Sequence, residues 1–145
     1  MVSIISLLSS IVLSALGSAR AKARNANRLE AIHTLVNAFN LSLKDASSLP
    51  AGNCCVSQTC YDGHASYVAD ATVDAFLAPS LSQKPVDPAD AGRGYGGYIY
   101  RNPSTVNGST GAWLQYNLEP GGSCGIGAFT AQVNANFVDC YLKID

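Results

Sequence analysis

No charged residue occurs between Met1 and Leu16, and no cation precedes this run. The missing basic start excludes an ordinary signal peptide, although Ala15-Leu-Gly-Ser-Ala19 offers small residues of the kind that are cleaved. The run is also short. As a helix, these sixteen residues reach only about 24 Å against a hydrocarbon thickness of roughly 30 Å. That excludes a plain transmembrane anchor as written. Apolar side chains on every side equally disfavour a core helix of a soluble protein. The remaining expectation is that Met1 is not the natural start and that a basic leader lies upstream. Orientation leads to the same expectation. Cations directly after an apolar segment hold that side in the cytoplasm, whereas the five cysteines that follow favour an oxidising compartment.

Other absences narrow function. Net charge is −1, so bulk charge gives no reason to expect a nucleic-acid partner. Internal repeats and paired carboxylates suited to acid–base work are missing. The two histidines are His33, beside the apolar stripe of a helix, and His64. Two pattern matches carry no chemistry. Gly121-Gly-Ser-Cys-Gly125 fits the G-x-S-x-G nucleophile elbow, but that motif needs a following helix and a later histidine. Gly92-Arg-Gly-Tyr-Gly-Gly97 fits G-x-G-x-x-G yet leads into strand-like Tyr98-Ile-Tyr100 rather than a helix. No enzyme activity, cofactor or metal is expected.

What is present starts with four cations, Arg20, Lys22, Arg24 and Arg28, fused to the apolar run without a break. Residues 1–44 carry net +4 and residues 45–145 net −5, a polarity suited to head-to-body contacts between subunits or to a basic collar near lipid headgroups. Leu29, Ile32, Val36, Phe39 and Leu43 step by three and four, which predicts the core face of a helix. Ala15, Ala19, Ala23 and Ala26 form a small-residue line that admits close approach of another helix. The helix should stop before Pro50, at the break Ser47–Gly52. Residues 53–66 read as a Cys-rich loop and Val68–Leu77 as a short helix. Strands are predicted over Gly97–Arg101, Ala112–Glu119, Ile126–Thr130 and Phe137–Ile144, with turns at Asn107-Gly108 and Pro120-Gly121-Gly122. Cys140 should point inward with Val138, Leu142 and Ile144. The fold class is α+β in one domain, a long helix on a small antiparallel sheet.

Five cysteines leave one unpaired or bonded to another chain. Cys60 can pair with Cys55 or Cys54, and since adjacent cysteines rarely bond each other, one of those two is left over. A zinc set of Cys55, Cys60 and His64 is disfavoured, because structural zinc takes four ligands in tighter pairs. Asp87 and Asp90 read as solvated loop acids. Tyr95, Tyr98 and Tyr100 read as strand packing.

The run from Val2 to Ala26 resembles the N-terminal helix of type IV pilins and type II secretion pseudopilins. Pro85-Val-Asp-Pro88, Gly94-Tyr-Gly-Gly-Tyr-Ile-Tyr100 and Trp113-Leu-Gln-Tyr-Asn-Leu-Glu119 resemble, more loosely, the loop and first strands of the same family's head. The resemblance implies an αβ-roll in which the helix packs on a four-stranded sheet. Residues 1–28 would form the membrane and filament-core half, and residues 29–145 the head. It implies a Cys124–Cys140 disulfide, a loop closure worth about 3 kcal/mol. It also implies a life cycle: a precursor in the inner membrane, then a subunit of an extracellular filament. Its partners would be the lipid bilayer, the inner-membrane assembly machinery and copies of itself. The expected assembly interface comprises Ile4, Ile5, Leu8, Ile11, Val12, Ala15, Ala19 and Ala23, with Arg20, Arg24 and Arg28 facing acidic heads. The leader-processing site and the family's acidic residue would fall before Met1. A secretion pseudopilin and a secreted, disulfide-stapled binding module are the alternative readings.

Overall fold

A computed structural model describes residues 2–88 and 95–145, excluding the side chains of residues 2–7. Helix α1 (Val2–Asp45) is one uninterrupted rod of 44 residues, about 66 Å long. Gly17 does not break it. Lys44 in the last turn complements the helix dipole, and the chain then leaves through Ser47 and Pro50. The buried face runs Asn25, Arg28, Ile32, Leu35, Phe39 and Ser42. Of the predicted stripe, Ile32 and Phe39 are buried, while Leu29 and Val36 are partly buried against the core. The face is thus rotated toward Leu35 and extended at both ends by polar residues.

The main sheet has five antiparallel strands in the order β1-β4-β5-β7-β6. They are β1 (Gly52–Cys55), β4 (Ile99–Val106), β5 (Ser109–Leu118), β6 (Ala128–Val133) and β7 (Val138–Lys143). The four strands expected become five because β1 comes from the segment read as a Cys-rich loop. Cys54 and Cys55, small and apolar in behaviour, are buried as β1 pairs with β4. Strand β4 also continues past Arg101. A register shift between Arg101 and Ser104 accommodates Pro103, which has no N–H for the ladder. Asn107 and Gly108, at φ 48° and 75°, make the two-residue turn into β5.

A two-stranded ribbon, β2 (Tyr61–Asp62) with β3 (Tyr95–Gly96), lies apart from the main sheet. Helix α2 (Ala71–Leu77) starts three residues later than predicted, because the Asp70 carboxylate caps it by accepting from the N–H groups of Thr72 and Val73. The core lies between α1 and the near face of the sheet. Leu114, Tyr116, Leu118, Val138 and Cys140 meet Ile32, Leu35 and Phe39 there, and Phe39 stacks on Tyr100 at 4.7 Å.

Candidate functional site

Every described side chain from Leu8 to Arg20 is exposed. Leu8, Ile11, Val12, Leu13 and Leu16 keep between 47% and 73% of their surface open. A contiguous apolar surface of this kind marks an interaction site. Ala15, Ala19, Ala23 and Arg20 are also exposed on this part of the rod. Ile4 and Ile5 lie outside the described side chains. Among the described residues, no helix is long and apolar enough to cross a membrane.

The rod meets the head at a charged clamp. Glu119, just past the end of β5, takes Arg24 bidentately: Nε donates to Oε1 at 2.5 Å and Nη2 to Oε2 at 2.6 Å. Arg28, fully buried, donates from Nη1 to Glu119 Oε1 at 2.8 Å and from Nε to Asp87 Oδ1 at 2.7 Å. Its Nη2 reaches the Pro88 carbonyl at 2.6 Å. Asn25 adds an amide grip on the same strand end, accepting from the Glu119 N–H at 2.8 Å and donating to its carbonyl at 3.3 Å. Asp87 accepts a second bond from the Gly97 N–H at 2.7 Å. Gly97 sits at φ 91°, and a Cβ there would lie 2.5 Å from Cys60 Sγ, so only glycine fits.

Electrostatics follow from this geometry. Burial opposes ionisation of Glu119, yet the Arg24 and Arg28 guanidiniums hold its carboxyl down to about 2. Burial likewise opposes the Arg28 charge, and the hydrogen bonds and charges of Glu119 and Asp87 override it, raising its pKa. Arg24 and Arg28, expected to face acidic heads, are both engaged by acids of their own head. One expectation is corrected here. Asp87 is not a solvated loop acid, because it is buried opposite Arg28. Asp90 lies outside the described residues. Arg24, Asn25 and Arg28 thus contact the head from the last turn of the helix half at residues 1–28.

Beside the clamp, an open groove of about 680 Å³ runs between the rod at Gly17, Ala21 and Ala26 and the loop at Pro120–Ser123. Gly122 permits the approach, since a Cβ there would meet Asn25 Nδ2 at 2.7 Å. The loop is fixed by the Cys124–Cys140 disulfide, and the Tyr116 hydroxyl donates to the Cys124 carbonyl. Cys55 bonds Cys60, which removes both thiolates from the zinc alternative with His64. Cys54 is the free thiol, buried, and burial foremost pushes it up to about 11. The two disulfides fit an oxidising, extracytoplasmic compartment. His33 is exposed on α1.

Sequence patterning missed Asn25 and Glu119. Asn25 carries no pattern, and Glu119 signals only in being an acid at the end of a predicted strand. Comparison with known proteins finds no matching family model, no matching curated protein and no matching solved structure.

Proposed function

We propose that this chain is a structural subunit of an extracellular filament of the type IV pilus kind, held in the membrane by its N-terminal helix before assembly. The observation that carries the reading is the exposed apolar half of an unbroken helix, Leu8 to Leu16, projecting from a disulfide-stapled head. Such a surface needs lipid or other helices around it. Since lipid and a neighbouring helix are similarly apolar, close packing favours assembly, and the open line Ala15, Ala19 and Ala23 supplies it. The groove beside Gly122 offers room for part of a neighbour's rod. Electrostatic contacts between subunits fall to Arg20 and Lys22, which lie outside the clamp.

Electron microscopy of cells producing the full chain, beside a Val12→Glu variant, tests this. Surface filaments from the parent and none from the variant, with the variant's head still disulfide-bonded, are expected. Release of the parent chain as a soluble monomer would defeat the proposal.

A further inference from the structure

The far side of the main sheet carries a separate feature. Along β5, Gln115 and Asn117 alternate with the core residues Leu114, Tyr116 and Leu118, so they stand on the face away from α1. Asp139 of β7, in register opposite Asn117, joins them. His64 and Tyr95 stand across from this face with ring centroids 5.2 Å apart, and Tyr95 leans on Phe137 at 4.8 Å. Between the aromatic wall and the polar floor lies a cavity of about 180 Å³, with Gln132 also on its lining.

The floor is buried and built. Gln115 Nε2 donates to Asp139 at 3.2 Å, and Asn117 Nδ2 donates to it at 3.1 Å. Gln115 is only 6% exposed, and its Oε1 has no hydrogen-bond partner among the described residues. A buried acceptor left in that state is unfavourable, so the cavity is short of a donor. Among the described residues no Lys or Arg lines it, and the carboxylate on its lining, Asp139, accepts from Gln115 and Asn117. The cavity therefore suits a neutral ligand better than an ion. It is smaller than the roughly 300–1,000 Å³ of drug-sized sites, so it admits a single small ring.

We propose that this cavity binds one neutral sugar ring. A hydroxyl is donor and acceptor at once, which is what a floor of amides and a carboxylate matches. One hydroxyl donates to Gln115 Oε1, a neighbouring one donates to Asp139 and accepts from the Gln132 amide, and the apolar sugar face lies against Tyr95 and Phe137. The proposal rests on this face alone and stands whether or not the chain forms filaments.

The full chain, nitrogen-15 labelled in a polyoxyethylene detergent that carries no sugar headgroup, would be titrated separately with galactose, glucose, mannose and N-acetylglucosamine to about 50 mM. At least one sugar should shift the Gln115, Asn117 and Gln132 side-chain amides saturably. Gln132→Ala, at the exposed mouth, should weaken that binding at least three-fold, and Gln115→Met should abolish it with the core resonances of Leu35 and Leu114 unchanged. Should Gln115→Met fail to fold, the Gln132 variant alone decides. Unmoved amides with all four sugars, equal binding by the variants, or shifts produced by tetramethylammonium instead would overturn the proposal.

Discussion

Arg28 combines a full charge with complete burial and two carboxylate partners. Removing one member of such a group strands the others, so Arg28→Ala should cost about 3–5 kcal/mol in denaturant unfolding. Arg20→Ala, on the exposed rod, should stay within about 0.5 kcal/mol. Glu119 gives the cluster its pH dependence. Its carboxyl, normally near 4.5, is held at about 2 in the folded chain, so the unfolded chain binds the extra proton between those values. Stability from this residue is complete above pH 4.5 and lost as pH falls toward 2, a total on the order of 3 kcal/mol. Asp139 works the other way, because burial raises its pKa and its contribution fades as pH climbs. Unfolding measured across this acid range should show a steep slope that Glu119→Gln flattens; an unchanged slope would place the charge dependence elsewhere. Such residues were hard to read in the sequence. A helix arginine outside the apolar stripe looks solvated until a strand end supplies an acid.

At the scale of elements, pattern and turn chemistry were informative where burial is one-sided. The helix stop, the Asn107-Gly108 turn, strands near 97–144 and inward Cys140 all follow from local signals. Two features escaped for physical reasons. Strand β1 is four residues long with two cysteines at its end, too short for any period to show. The floor of the far-side cavity hides because Gln115 and Asn117 alternate as a solvent-facing strand would, and burial comes only from residues distant in sequence. The two disulfides differ in reach, with sequence separations of 16 for Cys124–Cys140 and 5 for Cys55–Cys60. The chain-entropy model then expects losses of about 3 kcal/mol for Cys124→Ser with Cys140→Ser, and about 2 kcal/mol for the shorter loop. Thermal unfolding of the two double variants should rank them in that order.

For the whole molecule, the rod divides into an open apolar half and a half sunk in the head, with the charged clamp where they meet. Arg24, Asn25 and Arg28 span little more than one helical turn, and all grip the same strand end or the loop next to it. A pull along the rod axis would therefore load these bonds together, in shear. Peeling from the apolar end would meet the same three residues almost at once, before any aliphatic contact is strained. The junction is thus a mechanical stop, and traction on the protruding end should be carried into the sheet through β5 instead of unzipping the helix from its core.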